Sequence, residues 1–451
     1  MLRAMSALLV FLCLSPLLCS EKEQIANEME TFLIHHFLEK WYPLTIDSKF
    51  SGTLNTFTRD WKPVGPQDKW LVPQARHVWT ASKAAARYPE DDRYRKTADA
   101  GYAFLKECLW DSEFGGFFAA RDRKGRQESR SRYGDTKLLY GNAFAIYGLV
   151  AYYELTGEKK ALDLAIDDFL WIEKHAYDPQ YGGYFEQFNR EGDVLRRGDQ
   201  NYRHSPEVRT FEQKGMNASI HLLEAYTTLY KVWPDSLLKE KLSELLALIR
   251  DTITHKDGYM RIFFEPDWTP ISYRDSTAAV REKNVYFDHV TFGHDVETAF
   301  LMLEASHGLG TQTDSTTLRK AKQMVDHSLQ GWDEEKGGFF SAGYYFKGST
   351  QIAIIDKRKE WWVEAEGMNA LLLMSILFHE EGYYWDLFKR QWEYIKTYLI
   401  DTEFGGWYAS GLDQTPHAKK GLKGYSWKTS YHDGRAMMHC IDLLRSQGSI
   451  Q

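Results

Sequence analysis

Three histidines sit in dense polar and aromatic surroundings: His221 in Lys214-Gly-Met-Asn217-Ala-Ser-Ile-His221-Leu-Leu-Glu224, His294 in Phe292-Gly-His294-Asp-Val-Glu297, and His432 in Trp427-Lys-Thr-Ser-Tyr-His432-Asp-Gly-Arg435. Imidazole titrates nearest neutrality of all side chains, so such a set points to proton transfer. His294 and Glu297 stand three apart and share a helix face, where the carboxylate is expected to orient the ring. A further cluster, Lys359-Glu360-Trp361-Trp362-Val363-Glu364-Ala365-Glu366, heads another helix. Singly, each histidine reads more readily as a core or capping residue than as a catalytic one, and acidic groups suit any helix start because of the macrodipole. The three histidines together are what point to a site. The chain has no Gly-x-Gly-x-x-Gly, no phosphate-binding Gly-Lys-Ser/Thr loop, no His-Glu-x-x-His and no Gly-x-Ser-x-Gly. Nor does it show a ligand set with metal spacing, so the expected chemistry needs neither cofactor nor metal.

One recurring phrase organises the elements that must position these residues. It reads Asp111-Ser-Glu-Phe-Gly-Gly-Phe-Phe, Asp178-Pro-Gln-Tyr-Gly-Gly-Tyr-Phe, Asp333-Glu-Glu-Lys-Gly-Gly-Phe-Phe and Asp401-Thr-Glu-Phe-Gly-Gly-Trp-Tyr, with weaker echoes at Asp47 and Asp257. The six copies recur in steps of about 64 to 79 residues, room for a helix pair and a turn. Gly-Gly supplies the positive φ of a tight reversal, and Asp can bond its own backbone. Amphipathic stretches lie between the phrases, for example Tyr140 to Leu155, Met216 to Val232, Val296 to His307 and Asn369 to Glu380. A helical hairpin cannot bury its apolar face alone, so six must pack on one another as a superhelix or a ring. Unequal repeats with long aromatic loops favour the ring, an all-α (α/α)6 barrel. No linker divides the chain, and residues 21–451 are expected to form one domain.

Residues 1–20 differ in kind: Arg3 precedes an apolar run from Ala7 to Leu18, and Ser20 leads into Glu21-Lys22-Glu23. This pattern predicts a secretory signal peptide too short to span a membrane, hence a periplasmic or extracellular protein. Cys19 as a lipid-attachment cysteine is the alternative. Removing the leader leaves Cys108 and Cys440, too few for a disulfide framework. The formal charge is −7 and no basic stripe is present, which argues against nucleic acid or anionic lipid as partner. Aromatic residues, 15% of the chain, crowd the loop phrases, and flat rings suit the C–H faces of an uncharged sugar. The protein is expected to act as a monomer on a small sugar.

Five segments, Tyr140-Gly-Asn-Ala-Phe-Ala-Ile-Tyr147, Met216-Asn217-Ala-Ser-Ile-His221-Leu-Leu-Glu224-Ala-Tyr226, Gly293-His294-Asp-Val-Glu297-Thr-Ala, Glu360-Trp-Trp-Val-Glu-Ala-Glu366 and Trp427-Lys-x-x-Tyr-His432-x-Gly-Arg435, resemble in order the signatures of cellobiose 2-epimerases within the N-acylglucosamine 2-epimerase superfamily. The likeness runs from about Glu30 to Leu444. It implies an (α/α)6 barrel and a cofactor-free inversion at C2 of the reducing-end sugar of a β-1,4-linked disaccharide. It further implies that His294 and His432 form the acid/base pair, that His221 assists at the sugar, and that Arg76 steadies the enediolate. Trp362 and Trp427 would line the sugar site, with Tyr140, Asn217, Glu297, Trp361 and Glu366 completing the pocket.

Some positions depart from the family pattern. Asp433 and Glu364 stand where the amides Asn and Gln are usual, and Phe300 where Trp is frequent. These changes spare the acid/base set and bear on the rim. A mannose 2-epimerase or an aldose–ketose isomerase is therefore the nearest alternative. A glycoside hydrolase using a carboxylate pair from Asp295, Glu297, Glu364 and Glu366, or a non-catalytic sugar-binding scaffold, stands further off.

Overall fold

The computed structural model describes residues 20–127, 135–199, 202, 210–311 and 314–446. The expected leader up to Cys19 lies outside the described residues. Ser20 is the N-cap of the first helix, its hydroxyl accepting from the Glu23 amide at 3.2 Å.

In chain order the helices are α1 (Glu21–Thr31), the one-turn α2 (Glu39–Trp41), α3 (Leu71–Arg87), α4 (Asp92–Phe104), α5 (Leu139–Thr156), α6 (Lys159–His175), α7 (Met216–Val232), α8 (Ser236–Leu248), the short α9 (Ala278–Asn284), α10 (Phe292–Gly308), α11 (Ser315–Ser328), α12 (Trp361–Leu377), α13 (Tyr383–Tyr394) and α14 (Tyr431–Arg445). Helix α3 packs on α5, α5 on α7, α7 on α10, α10 on α12, α12 on α14, and α14 returns to α3. Six helices thus close a ring, which an open superhelix would not do. Each inner helix has an outer partner: α4, α6, α8, α11 and α13 in turn, and α1 for α14. This is the (α/α)6 barrel that the six repeats predict.

Burial separates the two layers. Residues Leu139 to Tyr152 of inner helix α5 are buried without interruption. Outer helix α6 buries the stripe Ala161, Leu164, Ala165, Asp168, Phe169 and Ile172, the spacing of one face of a 3.6-residue helix. The ends differ as well. The side chains of Ser20, Asp91, Glu158, Asp235 and Asp314 cap outer helices, whereas none of the six inner helices has a side-chain N-cap bond.

Four inner helices, α3, α5, α7 and α10, instead start directly from short antiparallel strands that tie neighbouring repeats together. β1 (Lys69–Trp70) pairs with β2 (Ala120–Arg121), β3 (Lys137–Leu138) with β4 (Gln187–Phe188), β5 (Lys214–Gly215) with β6 (Phe263–Phe264), and β7 (Val290–Thr291) with β8 (Ala342–Tyr344), which also pairs with β9 (Ala353–Asp356). The recurring phrase forms the turn expected of it: both glycines of each Gly-Gly have φ between +67° and +85°.

The aspartate of the phrase does more than shape its own turn. A buried lysine reaches five of the six, Asp257 being the exception: Lys69 to Asp47 and Lys137 to Asp111 at 3.1 Å, Lys214 to Asp178 at 2.6 Å, and Lys359 to Asp333 and Lys423 to Asp401 at 2.7 Å. The fourth repeat has Val290 two residues before its inner helix, where Lys69, Lys137, Lys214 and Lys359 stand in theirs. The fourth residue of several inner helices also points outward to the turns: Gln74, Asn142, Asp295 and Glu364 accept from the amides of Thr53, Phe117, Met260 and Phe339.

Candidate active site

The expected site residues other than Glu366 line one cavity of about 140 Å³ at the N-terminal ends of the inner helices. Arg76 comes from α3, Tyr140 from α5, Asn217 and His221 from α7, His294 and Glu297 from α10, Trp361 and Trp362 from α12, and His432 from α14. Each stands within the first six residues of its helix. The positive ends of six uncapped helix dipoles therefore converge on the cavity and favour negative charge there, each worth about 0.3–1 kcal/mol.

Arg76 is 2% exposed, and its Nη2 donates to the Tyr140 hydroxyl at 2.9 Å. Among the described residues no carboxylate lies within ion-pair distance of it, so its charge remains available to an anion. Among the described residues Asn217 Oδ1 has no hydrogen-bond partner, and Asn217 lines the cavity, where that oxygen can accept from a ligand hydroxyl. The indole of Trp362 lies 4.6 Å from the His294 ring and 5.9 Å from the His432 ring, centroid to centroid, so both imidazoles flank one aromatic wall. Trp427, 36% exposed, stands at the mouth.

Each histidine has a different partner. His221 Nδ1 faces Glu224 Oε2 at 2.9 Å, His432 Nδ1 faces Glu366 Oε1 at 2.7 Å, and His294 Nδ1 faces the Thr291 hydroxyl at 2.9 Å. The expected His294–Glu297 pairing does not form. Glu297 Oε1 instead accepts from Arg435 Nη2 at 3.0 Å and lies 3.9 Å from His432 Nδ1. A three-residue spacing permits a contact but does not secure it, and here the His294 ring turns to the Thr291 hydroxyl instead.

Arg435 is the hub beneath the cavity. It contacts Glu224, Glu297 and Glu366 together with the Tyr431 hydroxyl. Burial would raise Glu224, but Arg435 and His221 outweigh it and hold that carboxyl at about 2. Burial raises both Glu297 and Glu366, and their mutual repulsion raises Glu297 further, so this pair retains a proton more readily than ordinary carboxylates. Burial also lowers His221, His294 and His432, with the Arg76 and Arg435 charges adding to the effect at His432. All three rings are therefore neutral near pH 7. Glu297 and Glu366 are thus the groups at this end of the cavity whose burial favours holding a proton.

Glu297, Glu366 and His432 offer three ligand atoms within 4.8 Å of one another, a spacing a cation could use. The Arg435 guanidinium already bridges the two carboxylates there. The hydrolase alternative loses its carboxylates. Asp295 and Glu364 face outward to turn amides, and Glu297 and Glu366 share one guanidinium instead of facing each other across the cavity.

Sequence reasoning passed over Thr291, and it quoted Glu224 and Arg435 without giving them roles. The three-residue steps His221 to Glu224 and His432 to Arg435 were visible signals for the latter two. What the arrangement can do is remove and return a proton beside a fixed cation, in a cavity walled by aromatic rings.

Comparisons with known proteins agree with this chemistry. The chain is 29% identical over 423 residues to a cellobiose 2-epimerase of Bacteroides fragilis, covering 94% of this chain and 99% of that protein. It is 30% identical over 377 residues to a cellobiose 2-epimerase of Ruminococcus albus, covering 83% and 87%. The solved structure of cellobiose 2-epimerase from Spirochaeta thermophila superposes with a TM-score of 0.81 at 29% identity, covering 94% of this chain and 98% of that one. The sequence profile of N-acylglucosamine 2-epimerase (GlcNAc 2-epimerase) matches residues 52–436, and the chain belongs to that family of carbohydrate epimerases.

Proposed function

We propose that the protein inverts C2 of the reducing-end sugar of β-1,4-linked disaccharides, cellobiose to glucosyl-mannose and mannobiose in the same way, without a cofactor. The observation that carries this reading is the pairing of an uncompensated Arg76 with two imidazoles that flank Trp362 in one cavity. A C–H next to an aldehyde is a weak acid, so the ring first opens and a base then takes the C2 proton. The enediolate oxygen that results carries the charge that Arg76 and the helix N-termini stabilise. One donor of this kind is worth about 2.7–4 kcal/mol in acyl-transfer enzymes. His294 and His432 serve opposite faces of C2, so the proton leaves from one side and another returns from the other. Trp427 at the mouth offers a flat ring to the second sugar unit.

Incubation of the purified protein with cellobiose, mannobiose, mannose and fructose, followed by chromatography, tests this. The expected product from cellobiose is glucosyl-mannose. Ketose as the main product would replace the epimerase reading with an aldose–ketose isomerase, and mannose as the only substrate would move it to a monosaccharide 2-epimerase.

Export through a cleaved leader is also proposed, supported by the apolar Ala7–Leu18 run and by the first helix starting at Glu21, beside the expected cleavage point. The mature protein is read as a monomer. N-terminal sequencing of the protein recovered outside the cytoplasm and sedimentation analysis test the two statements.

A further inference from the structure

Thr291 occupies the N-cap position of α10, where a threonine hydroxyl ordinarily accepts from the amide two or three residues on. His294 is that third residue. The Thr291 side chain makes no such cap bond, and its Oγ1 lies 2.9 Å from Nδ1 of the His294 ring instead. The residue is 5% exposed and its backbone is fixed in register opposite Ala342 in the β7–β8 pair, so the hydroxyl is held in place from two sides.

We infer that Thr291 is a positioning residue for the reaction. Its hydroxyl accepts from Nδ1–H of His294, fixing the tautomer and leaving the Nε2 lone pair for the cavity. The contrast with His432 gives the device its meaning. A carboxylate partner such as Glu366 stabilises an imidazolium strongly, whereas a neutral hydroxyl orients the ring while leaving it a weak, neutral base. The two histidines are thereby made unequal, one held next to the proton store and the other kept ready to receive.

The inference rests on reading His294 as an acid/base group, and the test separates the two. Thr291→Val keeps the shape and removes the hydroxyl, and Thr291→Ser restores it. Val is expected to lower kcat on cellobiose by about 10- to 100-fold, part of the 10²–10⁴ that general acid–base catalysis contributes. KM should stay within about twofold, and Ser should recover most of the loss. An accepting hydroxyl favours the charged ring slightly, so in Val one limb of the kcat/KM pH profile moves to lower pH, which a purely structural defect would not produce.

¹⁵N spectra of histidine-labelled protein, with the His294 signal identified by its loss in His294→Asn, read the tautomer without any substrate. The Nδ1–H form is expected in wild type and Ser, and a mixture in Val. An unchanged tautomer, or Val with wild-type kcat, overturns the role of Thr291. A wild-type protein inactive on every sugar overturns the epimerase reading, and the spectra still decide Thr291.

Discussion

His432 and Glu366 share a 2.7 Å contact between Nδ1 and Oε1, and the same carboxylate oxygen accepts from Arg435 at 2.8 Å. The ring is thus held through its Nδ1 while it lines the cavity. Glu366 itself does not line the cavity, and its contact with the site is through the histidine.

The first expectation concerns the two imidazoles. His294→Asn and His432→Asn should each lower C2 inversion at least 10²-fold, the lower end of what general acid–base groups contribute. Circular dichroism should remain that of the folded helical protein. Near wild-type turnover in either variant would refute the two-histidine mechanism.

Glu366→Gln keeps the shape of the side chain but loses the charge that steadies His432 and balances Arg435. A fall in kcat of about 10- to 100-fold is expected with KM little changed, because the residue touches the catalytic ring and not the sugar. An effect confined to KM would place Glu366 in substrate binding instead.

The pH dependence follows from the direction of each shift. Burial holds His294 and His432 below the usual histidine range, and a base must be neutral to accept a proton. The acid limb of kcat/KM should therefore lie below pH 6.5. Glu297 and Glu366 are raised, so their retained proton leaves only above the ordinary carboxylate range and sets the basic limb. A single limb centred at 6.5 would mean that the rings titrate as free imidazoles.

Activity should survive exhaustive dialysis against a chelator, since the cation proposed to stabilise the enediolate is Arg76. Loss with the chelator and recovery with an added divalent ion would bring the Glu297–Glu366–His432 cluster into play as a metal site.

Stability can be probed far from the chemistry. The buried Lys214 donates to Asp178, Gly182 O and Pro266 O between 2.6 and 2.8 Å. Lys214→Met strands a buried carboxylate and is expected to cost about 3–5 kcal/mol in urea unfolding. The double variant with Asp178→Asn should recover part of that. A loss below about 1 kcal/mol would show that the pair contributes no more than a surface ion pair.

Much of the fold was legible because Gly-Gly turns and helical spacing are local properties. The phrase at Asp111, Asp178, Asp333 and Asp401 marks the repeats, and its glycines take the expected positive φ. Ring closure, by contrast, depends on α14 meeting α3, which no local pattern encodes. The same limit applied at the site. His221–Glu224 and His294–Glu297 have identical spacing, yet only the first pairs: Glu224 meets Arg435 with one oxygen and His221 with the other, whereas the His294 ring turns to Thr291 and Glu297 faces Arg435 and His432. The buried lysines were hidden for a similar reason: each lies 22 to 36 residues from its aspartate, a separation that varies with the loop and leaves no periodic trace.

Those lysine–aspartate pairs make the rim modular. Each anchors its own turn beside an inner-helix start, that of α7 with His221 among them, whereas α10, which carries His294, lacks such a pair. The fourth repeat, with Val290 in the lysine's place, is also the one whose connection holds the additional helix α9. Under the proposed function, that connection is where loop changes would alter preference for the outer sugar, with the lysine-anchored turns of the other repeats left in place.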